Sequence, residues 1–317
     1  MYSRRYDRNL DFDNKKSEHE LLGEYNSISF NDCAEKCRKE CGVFGYNDGL
    51  MKCRTHKKLH KTSVSDQAGW RYFFHDFIPT DCKDLRKDGH TNTGVYEIYP
   101  YGTITSPVRV YCDMETMDGG WTAIQKRVNE SLNFHRNWTE YKNGFGSPEQ
   151  NVWVGNDVIH QLTKEKDCFL YVSITLQNGT TLYEMYDLFS VSDETEKYQL
   201  FLAGPATGTL GDSMSSHDQS GSYLSFIDIK INTSDSMLST GISTKYLSGM
   251  SFSTPDRDND RTGENCASRF GGGWWFNSCH RAFLNGPWYP AVWVNPWFTT
   301  VPSGSSVRKT MMLIQRH

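Results

Sequence analysis

Short runs of alternating apolar and polar residues recur along the chain and predict β-strands, because successive side chains of a strand face opposite sides of a sheet. GVYEIYP (94–100) and VRVYCDM (108–114) follow this pattern, and WTAIQKR (121–127) is predicted as the strand after a turn at Asp118-Gly119-Gly120. FLYVSITL (169–176) is apolar enough to be a buried strand, and Tyr198–Leu202 is predicted as another. Most of the chain after residue 80 is therefore predicted to be built around a sheet.

Helical patterns are few and short. DVIHQLT (157–163) predicts one helix, and SFNDCAEKCRKEC (29–41) predicts another that Asn31 or Asp32 can cap. Three cysteines of the second segment recur at i, i+4 and i+8, on one helical face: Cys33, Cys37 and Cys41. Short helices among many strands indicate an α+β fold.

The first eighty residues predict a separate small unit. Residues 1–19 are polar and without a hydrophobic period, so they are predicted to be a disordered tail, with the remnant of a first strand as the alternative. A hairpin turning at Asn47-Asp48-Gly49 and the aromatic strand GWRYFF (69–74) follow the helix. Pro79 restricts the chain at the boundary, which places domains at 20–78 and 80–317.

Composition is that of a globular, polar-surfaced protein. A net charge of −4 over 317 residues argues against a general nucleic-acid binder. No apolar run is long enough to span a membrane. Residues 1–10 lack the apolar core of a secretory signal, and we expect a trimmed or incomplete N-terminus.

Export is predicted nevertheless, from cysteines and glycosylation sequons. Nine cysteines fall in local groups, and disulfides explain them better than a zinc site, because the usual knuckle pairs are missing. Cys168 is the odd cysteine and is expected to be a buried thiol. Four sequons agree with a secreted glycoprotein: Asn129, Asn137, Asn178 and Asn232.

The most informative stretch lies between residues 249 and 286. Asp256, Asp258 and Asp260 alternate, and a loop around a hard cation such as calcium accommodates them better than a helix or strand. An EF-hand is excluded, because Arg261 and Ala267 stand where that loop needs Gly and Glu. The sequence therefore indicates a calcium loop of another type.

Directly after this loop the sequence predicts a small recognition pocket. A bridge between Cys266 and Cys279 would close a short loop over the glycine run 271–273, with Trp274-Trp275 and His280 at hand. Glycines permit backbone conformations closed to other residues, so the loop can adopt an unusual shape.

These motifs closely resemble the C-terminal fibrinogen-related domain of fibrinogen chains, ficolins, tachylectins, tenascins and angiopoietins. The resemblance rests on FSTPDRDND (252–260), then NCA, GGGWW, CH and LNG, and on the upstream segments 94–100, 110–127 and 137–163. It runs from about Thr80 to the C-terminus. It implies a globular domain with a central, mainly antiparallel sheet, short helices and long loops, and the pair Cys82–Cys112.

The resemblance also implies the functional residues. Calcium would be held by the carboxylates of Asp258 and Asp260 and by the carbonyls of Thr262 and Glu264, with Asp256 as a neighbour. Ficolins and tachylectins bind acetyl groups beside a cis peptide bond, which here would be Ser278–Cys279, followed by His280. Phe270 stands where those relatives often have Tyr. The loop after LNG is shorter here, and Tyr289 or Trp288 would have to close the pocket.

Two segments fall outside the family pattern. Residues 221–250 are longer than in most relatives and are predicted to contain an inserted hairpin. Ser268, Arg269 and Phe270 occupy the place where a fibrin-type polymerisation hole needs acidic and amide groups, so fibrin-type assembly is not expected.

Residues 20–78 resemble a PAN/apple module, in which nested cysteines would imply Cys33–Cys53 and Cys37–Cys41, although other pairings stay open. Such modules bind partners. The basic run Arg54–Lys61 is either a patch for glycosaminoglycan or extracellular proteins, or a solvated loop, and the loop is favoured.

Together the patterns predict a secreted recognition protein without catalytic motifs. The leading hypothesis is lectin-like pattern recognition in innate immunity, with acetylated glycans or glycoproteins as partners and homo-oligomers raising the avidity. The alternative is an extracellular-matrix, adhesion or receptor-ligand protein that works by protein–protein contacts.

Overall fold

The structure is a computed structural model, and it describes thirteen segments of the chain. These are residues 6–8, 15–17, 21–26, 29–37, 41–56, 64–75, 78–102, 106–165, 167–215, 247–288, 296–297, 300–301 and 305–317. The predicted hairpin within 221–250 and Tyr289 lie outside them. The chain divides into two compact units, Met1–Ile78 and Pro79–His317. Each unit is described by itself below.

The described part of the first unit contains one helix and two antiparallel sheets. A five-stranded sheet has the order β1-β7-β4-β5-β3, and β2 pairs with β6. The elements are β1 Tyr6–Arg8, β2 Lys15–Ser17, β3 Leu21–Asn26, α1 Phe30–Lys36, β4 Val43–Asn47, β5 Lys52–His56, β6 Val64–Asp66 and β7 Trp70–His75.

Helix α1 is shorter than predicted and begins at a different cap. The side chain of Ser29 accepts a hydrogen bond from the Asp32 N–H, so Ser29 is the N-cap instead of Asn31 or Asp32. The helix ends at Lys36, and the i, i+8 cysteine therefore lies beyond it. Disulfides join Cys33 to Cys53 and Cys37 to Cys41, and they staple the helix to β5 and to the entry of β4.

Two expectations for this unit are wrong. The 1–19 segment is not a tail throughout, because β1 pairs with the edge of β7 and β2 pairs with β6. Pairing satisfies the backbone N–H and C=O groups that the edge of a sheet leaves without hydrogen bonds. This stabilises a strand even where the sequence has no hydrophobic period. Arg54 and His56 are also not in a solvated loop: they lie in β5 and are buried. Residues 57–61 of the basic run lie outside the described residues.

The second unit is built on a nine-stranded antiparallel sheet. Its main path is β11-β12-β10-β16-β13-β14-β15, and the β8–β9 hairpin attaches to β10. The elements are α2 Cys82–Lys87, β8 Gly94–Ile98, β9 Val108–Asp113, β10 Trp121–Arg127, α3 Trp138–Asn143, β11 Phe145–Gly146, β12 Val152–Trp153, α4 Asn156–Thr163, β13 Cys168–Leu176, β14 Thr181–Val191, β15 Leu200–Gly208, α5 Cys266–Phe270 and β16 Val307–Arg316.

The sheet carries apolar residues on both faces. Strand β16 pairs with β10 along one edge and with β13 along the other, so it is an inner strand of the sheet. Met312 and Ile314 pack into the main core, whereas Met311 and Leu313 join a second cluster with Trp121. The four predicted strands 94–100, 108–114, 121–127 and 169–176 are confirmed, as is the helix at 157–163.

Covalent links close this unit as well. Disulfides join Cys82 to Cys112 and Cys266 to Cys279. Cys168 is buried and takes part in no disulfide, as predicted. Among the described residues, no helix is long and apolar enough to cross a bilayer.

Candidate calcium loop and recognition pocket

The two predicted calcium carboxylates lie side by side in an irregular loop. Backbone N–H groups of the loop hold both of them: Asp260 N–H donates to Asp258 Oδ1 (3.1 Å), and Thr262 N–H donates to Asp260 Oδ1 (2.8 Å). Cys266 N–H donates to the other oxygen, Asp260 Oδ2 (2.8 Å), which joins the loop to the start of α5. The backbone of the loop is thus wrapped around its own carboxylates.

No described basic side chain balances the charge of this pair. Burial, and the adjacent Asp260 carboxylate, raise the pKa of Asp258 above its ordinary value. No described lysine or arginine forms an ion pair with Asp258 or Asp260. Two adjacent carboxylates without a counter-charge are unfavourable unless a cation or a proton neutralises them.

The predicted carbonyl ligands belong to the same turn. Thr262 Oγ1 lies within hydrogen-bond distance of Asp260 Oδ1 (3.0 Å) and of the Glu264 carbonyl, which brings the Glu264 carbonyl close to the Asp260 carboxylate. The described residues contain no cluster of three or more His, Cys, Asp or Glu side chains that could hold a metal. Two carboxylates supplemented by backbone carbonyls and water fit calcium, which accepts six to eight oxygen ligands.

Asp256, the first of the alternating aspartates, has a different role. Its Oδ1 accepts hydrogen bonds from Trp138 N–H (2.9 Å), at the start of α3, and from Thr254 Oγ1 (2.7 Å). Asp256 is therefore a neighbour of the Asp258 and Asp260 carboxylates and binds the start of α3. The sequence alone could not identify Trp138 as its partner.

The pocket side of the site begins at α5. Asn265 caps this helix through Ser268 N–H, and Gly271 ends it in the left-handed region at φ 78°. A side chain at Gly271 would also meet Pro287, since a Cβ there would lie 3.2 Å from the proline ring. The loop then returns through a cis peptide bond, Ser278–Cys279, to the disulfide partner of Cys266.

His280 lies in an aromatic cage. Its ring centroid is 4.8 Å from that of Phe270, 5.9 Å from Phe276 and 5.1 Å from Phe283. Burial lowers the pKa of His280 to about 4, so the imidazole is neutral at physiological pH. Its Nδ1 is buried and has no hydrogen-bond partner among the described residues. A neutral imidazole in apolar surroundings can offer one polar atom to a small ligand.

Arg127 is a functional candidate that sequence reasoning missed. Its guanidinium is buried and donates from Nη1 to the carbonyls of Leu284 (3.0 Å) and Gly286 (2.6 Å). It also stacks within 5.1 Å of the Trp288 ring, and burial lowers the pKa of Arg127 to about 9. Because Arg127 ends a predicted strand, nothing in the sequence distinguished it from a surface charge. It holds the short turn after LNG and directs Trp288 onto the core.

Comparison with known proteins matches this unit. Residues 78–317 match the model of the family described as fibrinogen beta and gamma chains, C-terminal globular domain. The chain belongs to this family. It is 37% identical over 249 residues to angiopoietin-4 of Bos taurus, covering 77% of this chain and 44% of that protein. It is 39% identical over 233 residues to fibroleukin of Homo sapiens, covering 73% and 47%.

A solved structure agrees with the fold. The fibrinogen-like globe domain of human ANGPTL6 superposes with a TM-score of 0.62 at 32% identity, covering 75% of this chain and 96% of that one. The chain spans about half the length of the two curated relatives. The likeness to these relatives therefore concerns the fibrinogen C-terminal unit.

Proposed function

We propose that the chain is an extracellular recognition protein whose fibrinogen C-terminal unit binds calcium and presents the His280 pocket to small acetyl-bearing groups on glycans. The observation that carries the proposal is the neutral, unpartnered imidazole in a cage of three phenylalanines. An acetyl group combines a methyl, which suits the cage, with a carbonyl oxygen, which suits a donor N–H.

The calcium loop supports this function from one side of the pocket. When bound, calcium would neutralise the pair Asp258 and Asp260 and fix the loop that leads into α5. Residues Thr262 and Glu264 would contribute carbonyl oxygens. The Cys266–Cys279 bridge connects this loop directly to the residue before His280.

The test is calorimetric titration of N-acetylglucosamine and of acetate into the full chain, in calcium and in chelator. We expect millimolar binding that depends on calcium, and a loss of about tenfold in His280→Ala, the equivalent of one net hydrogen bond. His135→Ala, an exposed histidine, is the matched control and should leave affinity unchanged. Binding that survives in His280→Ala would refute the pocket, and retained calcium binding in Asp258→Asn/Asp260→Asn would refute the metal site.

A second candidate function is recognition of a protein partner. Trp288, one of two residues that could close an acetyl pocket, is partly buried against the core beside Arg127 and is not available as a lid. Calcium binding without any acetyl response would favour this candidate.

For the first unit we propose a PAN/apple-like adhesion role. A helix stapled by Cys33–Cys53 and Cys37–Cys41 onto a five-stranded sheet supports the assignment. Four disulfides in all suit an oxidising, extracellular location. Glycosaminoglycan or extracellular proteins are the proposed partners of this unit, and self-association of the chain is proposed to supply avidity.

A further inference from the structure

Helix α3 contacts both the calcium loop and the glycine run of the pocket. Its first residue, Trp138, donates its backbone N–H to Asp256 Oδ1 at 2.9 Å. Asp256 stands two residues before Asp258, the first proposed calcium ligand. The start of α3 is therefore tied to the root of the calcium loop by a residue that is 118 positions away in sequence.

The side chain of Trp138 strengthens this junction. Its indole Nε1 donates to Glu194 Oε1 (2.8 Å), while the guanidinium of Arg257 lies 4.2 Å above the ring. Arg257 also approaches the Glu194 carboxylate (3.7 Å). Two consecutive residues at the loop root, Asp256 and Arg257, thus hold one tryptophan, through a backbone hydrogen bond and a cation–π contact.

One turn later, α3 reaches the pocket. Tyr141 is completely buried, and its hydroxyl donates to the carbonyl of Phe134 (2.7 Å). A Cβ added to Gly273 would lie 2.6 Å from the Tyr141 ring, so the ring packs directly on the backbone of the glycine run. The carbonyl of Gly273 is held in turn by Asn285 Nδ2 (3.0 Å).

We propose that α3 couples calcium occupancy to the shape of the pocket, with Asp256 and Trp138 as the positioning pair at one end and Tyr141 on Gly273 at the other. The inference rests on the calcium site of the proposed function. Asp256 is not a calcium ligand in this scheme: it fixes where α3 begins once the loop is ordered. Rotation or fraying of α3 moves Tyr141, which opens space beneath the glycine run.

A shorter route also exists and must be separated from this one. Ser253, ahead of the loop, pairs with Trp274 through two backbone hydrogen bonds of 2.9 and 3.0 Å. The Cys266–Cys279 disulfide is a third connection. Neither of these contacts involves the carboxylate of Asp256, whose partners are Trp138 N–H and Thr254 Oγ1, so substitution of that side chain leaves both shorter connections in place.

The experiment is hydrogen exchange of the full chain in calcium and in chelator, read at peptides covering 137–145 and 268–276, with calcium affinity measured in parallel. In the wild type we expect calcium to slow exchange in both peptides by about tenfold, within the usual range of coupling between sites. Asp256→Ala should bind calcium within about threefold of wild type, yet lose most of the calcium-induced protection. Asp256→Asn keeps an oxygen acceptor for Trp138 N–H and should therefore retain the calcium-induced protection.

Asp113→Ala is the matched control, since Asp113 also caps a turn in this unit, through the N–H groups of Glu115 and Thr116. It should behave as wild type.

Full protection in Asp256→Ala would overturn the coupling role of α3, as would equal losses in Asp256→Ala and Asp256→Asn. A large loss of calcium affinity in Asp256→Ala would make it a ligand and overturn the scheme. No calcium binding by the wild type would remove the proposed calcium site itself, whereas calcium binding without protection of 137–145 would remove the coupling alone.

Discussion

At the scale of single residues, buried charges reveal what the sequence pattern conceals. Glu184 in β14 is 2% exposed, and its Oε2 has no hydrogen-bond partner in the described structure. Burial, together with the nearby Asp212 carboxylate, raises the pKa of Glu184 above its ordinary value. An acid whose pKa is raised by folding binds its proton more tightly in the folded state, so its stabilising contribution is complete below about pH 4.3 and is lost as pH rises through the folded-state pKa.

Glu184→Gln should therefore raise the free energy of unfolding at pH 7, by about 1–3 kcal/mol, because it removes a buried charge whose Oε2 has no hydrogen-bond partner among the described residues. The gain should shrink toward pH 4, where the wild-type carboxyl is protonated. Urea unfolding of both proteins at pH 4, 5.5 and 7 measures it, with the exposed Glu130→Gln as the control. A gain that does not change with pH would show that ionisation is not its source.

At the scale of elements, the last strand is fastened to the first helix of the fibrinogen C-terminal unit. Arg316, at the end of β16, lies 3.0 Å from Asp81 Oδ2 and also pairs with Asp84. Asp81 is in turn the N-cap of α2 and accepts from Asp84 N–H. Side chains of all three residues are largely buried. The ion pairs join residues more than 230 positions apart and close the unit where its chain begins and ends.

Arg316→Met should destabilise this unit by about 3–5 kcal/mol, because it leaves two buried carboxylates without their cation. Denaturant unfolding followed by tryptophan fluorescence measures the loss. The triple variant Asp81→Asn/Asp84→Asn/Arg316→Met removes all three charges and keeps a capping oxygen, so it should recover much of the stability. A loss below about 1 kcal/mol in Arg316→Met would mean that the pairs behave as exposed ones do.

At the scale of the whole molecule, the glycosylation sequons among the described residues differ in how far the fold exposes their asparagine side chains. Asn178 is exposed at the tip of the β13–β14 hairpin, where its Oδ1 accepts from Thr180 N–H and leaves the amide nitrogen outward. Asn129 is half-buried, and its Oδ1 accepts from the buried Asn151 amide at 2.6 Å. Asn137 caps α3 within a capping box.

A chain sent through a eukaryotic secretory pathway with an added leader should carry an N-linked glycan at Asn178 and none at Asn129. Enzymatic release in heavy-oxygen water marks occupied asparagines as labelled aspartates for peptide mass spectrometry. Asn178→Gln should remove one glycan from the intact mass, and Asn129→Gln should not. An unmodified Asn178 in the secreted protein would contradict this reading of the hairpin.

Local sequence determined much of the sheet and part of the site. Alternation was sufficient for β8 and β9, because the facing of side chains along a strand depends only on immediate neighbours. The preceding turn predicted β10, and a continuous apolar run predicted β13. It was insufficient for β14 and β16, which were not predicted: β16 is apolar on both faces, and its burial arises from the strands on either side. In β15 the strand begins at Leu200, since Tyr198 adopts a positive φ of 50° in a turn.

The sequence by itself determined the alternating aspartates of the proposed calcium loop, the cysteine groups, the glycine run and the family resemblance, because each is written within a few tens of residues. Only the tertiary structure decided that Asp256 serves α3, that Tyr141 lies under Gly273 and that Arg127 holds Leu284 and Gly286. The physical reason is distance along the chain. Contacts across more than a hundred residues depend on strand order and register, and these are set by burial of the whole sheet rather than by any local pattern.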